Sequence, residues 1–308
     1  MGKKRIIYSL TNRGLFSELS NLALAIVYAE INNFDLIVNS RNWNARFNKG
    51  MADYFEPCIP ERSDFYTSQL KIYTQEKPWI GNIYYNPKFF FKFYSMEILN
   101  SIYAFFYPKT IYSKDIFPKM YNKNFIDNIL GTECFQKMSY TFKQIYQYNE
   151  ETAQYICRRK RDLNIPDKYI SVHIRRGDKI TTGEMNDILL DKYMDEIKKL
   201  SDYYKDIYIA TDDKTIIPYF AKELKEIGLN LYYNKFNMQE GFVESKFNTK
   251  SKQAIKEETL NMLFDMDMMI QSSYFIGTYS SNIGRIIPLY LGLANCKSLD
   301  IDWNILYK

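Results

Sequence analysis

Histidine is almost missing from this chain: His173 is the single one in 308 residues. Cysteine is scarce as well, and Cys58, Cys134, Cys157 and Cys296 stand far apart with no Cys-x-x-Cys pair. A Cys/His zinc site is therefore not expected, and the scatter fits free thiols in a reducing compartment. No stretch of about 18 apolar residues occurs, so no membrane-spanning helix is expected. The start, Met1-Gly-Lys-Lys followed by Arg5-Ile-Ile-Tyr-Ser-Leu10, is too short to be the apolar region of a signal peptide and reads as a first strand. Strong positive charge is lacking too. A net charge of +5 and a pI of about 8.7 fall short of a dedicated nucleic-acid binder, so no nucleic-acid partner is expected.

What is present describes a globular protein. Hydrophobic residues make up 46% and charged residues 25%, against the profile of a disordered chain. The length accommodates two domains, each with its own core. Aromatic content is high, with 28 Tyr and 21 Phe. An AT-rich genome accounts for much of an excess of Tyr, Lys, Ile and Asn; aromatic surfaces that stack on sugars or bases are the alternative. The one basic run, Arg158-Arg159-Lys160-Arg161, reads as a solvated helix end, where cations are favourable, rather than as a phosphate patch.

Along the chain the periodicity predicts a strand over 6–10, a helix over 17–33 with Leu19, Leu22, Ala23, Ile26 and Val27 on one face, and a strand at 36–38. Residues 59–150 are less regular, and the aromatic clusters at 89–94 and 103–107 are expected mainly in the core or on a helix-packing surface, with an acceptor pocket or a contact with lipid headgroups as the alternatives. From residue 150 strands at 169–174, 207–210, 229–232 and 274–277 alternate with helices at 150–161, 190–200, 216–227, 256–271 and 282–291. Such alternation predicts a doubly wound parallel sheet. The division expected is 1–150, an N-terminal α/β domain with an aromatic-rich helical part, and 151–308, a C-terminal Rossmann-type domain.

Ligands of open α/β sheets bind beyond the carboxyl ends of the strands. Three polar groups fall there: His173-Ile-Arg175-Arg176-Gly-Asp178, Thr211-Asp212-Asp213 and Thr278-Tyr-Ser280-Ser281-Asn282. The last opens a helix, where unsatisfied amides and the dipole favour an anion, and an Arg pair opposite would bond phosphate oxygens bidentately. Together they predict a diphosphate clamp. Each alone has a plainer reading: Arg-Arg a surface pair, His173 a core histidine, Asp212-Asp213 a helix cap. Asp265-Met-Asp267 looks like a metal-binding DxD but sits in a helix, where positions two apart do not share a face. A single inward-facing Asp265 bonded to a ligand is the better reading, and no metal site is expected.

These residues resemble the α-1,6-fucosyltransferases. Val172-His-Ile-Arg-Arg-Gly-Asp-Lys179, Ile209-Ala-Thr-Asp-Asp213 and the stretch from Leu263 to Arg285 are similar to that family's three ordered blocks. Gly14-Leu-Phe-Ser-Glu-Leu19, Asn39-Ser-Arg-Asn-Trp43 and Ser298-Leu-Asp300 resemble further segments. The resemblance implies a GT-B-like α/β enzyme of two Rossmann-type domains with parallel sheets, its donor site in the C-terminal domain facing the interdomain cleft. It implies GDP-fucose as donor, inversion at the anomeric carbon, a glycan acceptor, and no metal or other cofactor. Arg175 would hold the β-phosphate, with Arg176 and Gly14 in the donor-binding set. His173 and Asp265 would contact the nucleotide, Asp265 at the guanine N–H edge. Ser280, Ser281 and Asn282 would complete the phosphate cradle. Asp178, Asp212 and Asp213 would order the Arg-rich loop. Glu184 falls at the position of the family's base after a one-residue shift, and Lys179 would anchor the donor phosphate or that base. The glycine turn at Gly14 is poorer in glycine than the family's. The anchor, stem and extra domain of the animal enzymes have no counterpart in the sequence, which leads us to expect a soluble cytoplasmic enzyme of bacterial or viral origin, with a membrane-peripheral placement left open. Another nucleotide sugar, such as a xylosyl or other deoxysugar donor, and a catalytically silent glycan- or nucleotide-binding protein are the alternatives.

Overall fold

The structure, a computed structural model, describes residues 3–63, 87–106, 109–177, 187–236 and 244–305. It divides into two compact units, Met1–Arg13 with Glu18–Gln147, and Gly14–Ser17 with Tyr148–Lys308.

The first unit holds β1 (Arg5–Ser9), α1 (Leu15–Ile31), β2 (Asp35–Asn39), β3 (Glu61–Arg62), α2 (Pro87–Phe106), β4 (Thr110–Tyr112), α3 (Ser113–Met120) and α4 (Cys134–Ile145). The strands order as β3-β2-β1-β4, and every pairing is parallel. β1 is central, and Ile6, Ile7 and Tyr8 are buried on both of its faces, as a strand covered on both sides requires. On α1 the stripe Leu19, Leu22, Ala23 and Val27 is buried, which is the 3.6-residue spacing visible in the sequence. The aromatic clusters at 89–94 and 103–107 depart from expectation. Residues 89–94 and 103–106 fall on α2, where Phe91, Phe105 and Phe106 are 63%, 81% and 69% exposed rather than in a core; Tyr107 lies outside the described residues.

The second unit runs α5 (Glu150–Leu163), β5 (Ile170–Ile174), α6 (Leu190–Leu200), β6 (Asp206–Thr211), α7 (Ile217–Glu226), β7 (Asn230–Tyr233), α8 (Glu244–Phe247), α9 (Lys252–Ile270), β8 (Tyr274–Gly277), α10 (Asn282–Ile286), α11 (Pro288–Leu291) and β9 (Cys296–Ser298). Its sheet orders as β7-β6-β5-β8-β9, again wholly parallel. The α/β class with two parallel sheets expected from the sequence is thus found.

Each element has a local cause. Asn149 caps α5 by accepting the Thr152 amide at 2.9 Å, and Asn164 ends it in the left-handed conformation that Asn tolerates. Tyr193, Met194 and Ile197 of α6 and Phe220 and Leu224 of α7 pack on Ile170, Val172, Ile207 and Ile209 of the sheet. Burial of such side chains contributes about 1.5–3 kcal/mol apiece. The opposite face of β5 is covered as well, since Ser171 is buried with its hydroxyl 2.7 Å from that of Ser272. α9 is buried along most of its length, from Ile255 to Met269.

Two sequence expectations are corrected here. The closing helix expected over 282–291 is two short helices divided at Pro288, whose missing N–H and ring interrupt the ladder. The run Arg158–Arg161 is not simply a solvated end. The Lys160 ammonium lies 2.8 Å from the buried Asp267 carboxylate, and Arg159 covers the Phe236 ring with its guanidinium carbon 3.3 Å from the ring centre. No helix among the described residues is long and apolar enough to cross a membrane.

Gly284 of α10 sits against the backbone at the end of β8, where an added Cβ would come within 2.0 Å of the Thr278 carbonyl oxygen. Gly284→Ala should lower stability by about 1–3 kcal/mol through overpacking. Denaturant melts that superimpose on wild type would refute this packing.

Candidate active site

Strand register brings the first two polar groups together. Ile174 of β5 is paired with Thr211 of β6, so the residues that follow them, Arg175 and Asp212, emerge side by side. One guanidinium nitrogen of Arg175 lies 2.8 Å from an Asp212 carboxylate oxygen, with both side chains largely buried. The same carboxylate accepts the amides of Arg176 at 2.8 Å and Gly177 at 3.0 Å. Asp212 therefore orders the turn after β5. Arg176 points elsewhere, to an ion pair with Asp187 at 2.8 Å. Asp213 is turned aside too, since it caps the next turn by accepting the Thr215 amide and hydroxyl at 2.9 and 2.6 Å. That is the plainer cap reading for Asp213. Asp178, Lys179 and Glu184 lie outside the described residues.

His173, the last-but-one residue of β5, is only 4% exposed, and its Nδ1 has no hydrogen-bond partner. Burial holds its imidazole down at about 4; the Asp212 charge opposes that shift and the Arg175 charge adds to it. The ring is neutral at pH 7, with one nitrogen available as donor or acceptor. Along the neighbouring strand end, Thr278 Oγ1 is likewise buried without a partner. Buried polar atoms are nearly always bonded, so two unspent ones at adjacent strand ends mark a place for a polar ligand.

The loop after β8 is held from the far end of the chain. Asp300 accepts the amides of Tyr279 at 2.8 Å and Ser280 at 3.2 Å, and the Ser298 hydroxyl at 2.7 Å. Burial raises the Asp300 pKa, but hydrogen bonds from Ser280, Ser298, Ile301 and Tyr279 outweigh it and leave the carboxyl below the usual carboxylate range. The expected anion site at the Ser281-Asn282 helix start is weaker than the sequence suggests. The helix has five residues, its cap Ser281 makes no side-chain bond, and the Asn282 amide oxygen accepts from Arg285. Gly14 stands in the turn before α1, where an added Cβ would meet nothing within 4 Å, so the fold itself does not demand glycine there.

Asp265 and Asp267 diverge as helix geometry requires. Asp265 accepts the Tyr208 hydroxyl at 2.6 Å, whereas Asp267 pairs with Lys160 and accepts the Gln271 amide at 3.1 Å. Burial, reinforced by the Asp265 charge and hydrogen bond, pushes the Tyr208 phenol well above its ordinary pKa, so it stays a donor. Asp265 forms part of a narrow pocket with Ile209, Thr211, Lys214, Ile217, Tyr233 and Asn234. The free space between them is about 10 Å³, room for a single water. Among the described residues no three His, Cys, Asp or Glu side chains are grouped to hold a metal ion.

Sequence reasoning missed Asn234, Tyr208 and the holding role of Asp300. Asn234 could have been found as the polar residue leaving β7 at its carboxyl end. Tyr208 lies mid-strand and gives no such signal.

A sequence model of the α-(1,6)-fucosyltransferase N- and catalytic domains matches residues 20–288. The chain belongs to this family. It is accordingly a glycosyltransferase, and solved structures agree with it in fold. Fucosyltransferase NodZ from Bradyrhizobium is 15% identical, with 94% of each chain covered and a TM-score of 0.56. POFUT1 in complex with GDP-fucose is 9% identical, with 98% of each covered and a TM-score of 0.54. An Arabidopsis thaliana FUT1 variant in complex with GDP is 11% identical, covering 98% of this chain and 71% of that one at a TM-score of 0.55. Comparison with curated protein sequences finds no match.

Because its folded pKa is depressed below the unfolded value near 6.5, His173 stabilises this fucosyltransferase above that pH. The contribution is lost as pH falls towards about 4. His173→Gln should remove up to about 3 kcal/mol of the stability difference between pH 7 and pH 4. Urea titrations at the two pH values test this, and parallel losses in variant and wild type would contradict it.

Proposed function

We propose that this family member is an inverting fucosyltransferase that moves L-fucose from GDP-fucose to a glycan hydroxyl without a metal ion. The observation that carries the reading is Arg175, a largely buried guanidinium fixed by Asp212 beside unpartnered His173 and Thr278 atoms. Its five N–H donors let it keep the Asp212 bond while reaching a phosphate oxygen. The solved GDP and GDP-fucose complexes of NodZ, POFUT1 and FUT1 support the same donor. In this reading the second unit holds the nucleotide sugar, the first serves the acceptor, and Asp265 receives the guanine N–H edge.

The acceptor oxygen forms a bond to the anomeric carbon as the bond from that carbon to the β-phosphate oxygen breaks on the opposite face. GDP leaves with the electron pair, and a carboxylate takes the hydroxyl proton; Glu184 is the residue the sequence offers for that role. Arg175 supplies the positive charge for the departing diphosphate in a setting shielded from water, where such a charge counts most. On the family's pattern Lys179 would anchor the donor phosphate or that base and Asp178 would order the Arg-rich loop, and His173 donates or accepts one neutral hydrogen bond to the nucleotide.

Arg175→Ala should lower transfer from GDP-fucose by about 100–1,000-fold while the far-UV spectrum and cooperative melt remain. Near-normal turnover in that variant would falsify the assignment. Among GDP, UDP and ADP, only GDP should raise the melting temperature, and Asp265→Asn should abolish that rise. Equal stabilisation by UDP would exclude a guanine site.

A further inference from the structure

Two residues lining the narrow pocket at β6 and β7 carry opposite hydrogen-bonding chemistry. Asp265 brings a carboxylate. Asn234, which leaves the carboxyl end of β7 and is only 7% exposed, brings a side-chain amide. Its side-chain oxygen accepts the Phe236 amide at 3.1 Å. That bond assigns the two ends of the side-chain amide: oxygen towards Phe236 and NH₂ away from it. The Nδ2 group is buried and has no hydrogen-bond partner. An unpaired buried donor is costly, and a ligand acceptor would recover that cost.

A carboxylate facing an amide NH₂ is complementary to one purine edge. Guanine presents two donors, N1–H and the 2-amino group, next to one acceptor, O6. Adenine presents its 6-amino donor where guanine has O6, and a bare N1 where guanine has N1–H. Against this pair adenine would set donor against donor and lone pair against carboxylate. So small a space takes the edge of a base, with its rings lying outside.

We propose that Asn234 is a specificity-determining residue for the donor nucleotide, donating from Nδ2 to O6 of guanine while Asp265 accepts from N1–H and the 2-amino group. This rests on the guanine-nucleotide reading of the site. Asn234 acts on affinity and choice of base, and Tyr208 keeps Asp265 oriented towards the same edge.

Three diphosphates separate the two contacts. GDP has both groups, IDP lacks only the 2-amino donor, and 6-thio-GDP replaces O6 by sulfur, a poor acceptor. Calorimetry with the full chain should show wild type binding GDP about 10-fold more tightly than 6-thio-GDP. Asn234→Ala should weaken GDP about 10-fold, bring GDP and 6-thio-GDP to near equality, and leave the GDP-to-IDP ratio unchanged. Asn234→Asp, which sets a carboxylate against O6, should weaken GDP more than the alanine variant does. Should Asn234→Ala fail to fold, the aspartate variant and the wild-type ratio carry the test. An Asn234→Ala protein that keeps its preference for GDP over 6-thio-GDP overturns the proposal, as does loss of that preference in Lys214→Ala instead. Wild type that binds no GDP at all removes the guanine-site reading beneath it, an outcome distinct from GDP binding that is indifferent to Asn234.

Discussion

Asp212 accepts three donors from one turn: a guanidinium nitrogen of Arg175 and the amides of Arg176 and Gly177. A carboxylate and a guanidinium this far from water are tolerable only because each satisfies the other and the backbone supplies the remaining bonds. The pairing is not made by the loops themselves. It follows from the register of β5 on β6, which sets residues 175 and 212 next to one another. Slipping that register by one residue would reverse the faces of every side chain on the strand and part the two charges. The site chemistry therefore hangs on packing well below it, in the isoleucines of β5 and β6.

The same sheet sorts the polar residues by function. At the centre, β5 and β8 end in groups suited to anions: a cation held by Asp212, a neutral buried imidazole and a threonine hydroxyl without a partner. Towards the edge, β6 and β7 end in a pocket with a carboxylate and a side-chain amide. A nucleoside diphosphate has that polarity along its length, with phosphates at one end and a base at the other. The order of the strands matches the order of its parts.

Much of this was legible in the sequence, and the reasons differ by element. β5 and β6 read clearly because Ile170, Val172, Ile174, Ile207 and Ile209 repeat at the strand period, and α6 because its apolar face repeats at the helical one. Arg175, Asp212 and Asp265 were visible because they leave strand ends or sit in a helix between apolar neighbours. Asp213 and Arg176 entered with the segments that resemble the family's blocks, and the structure gives each a local bond, to Thr215 and to Asp187. The closing helix was read as continuous although Pro288 lies in the middle of it. Asn234 carried only its place at the carboxyl end of β7; what sets it apart is an amide left unpaired by tertiary burial. The aromatic runs of α2 show the converse: composition suggested a core, but exposure is decided by what packs against a helix.

Asp300 has a consequence for how the molecule is completed. The loop after β8 is fastened by a carboxylate that follows β9, and β9 pairs with β8 at the outer edge of the sheet. In synthesis from the N-terminus, β5, β6 and α9 can assemble while this loop is still loose. The loop beside His173 thus depends on a residue that is among the last to be made: a chain interrupted before residue 300 lacks the carboxylate that clasps it.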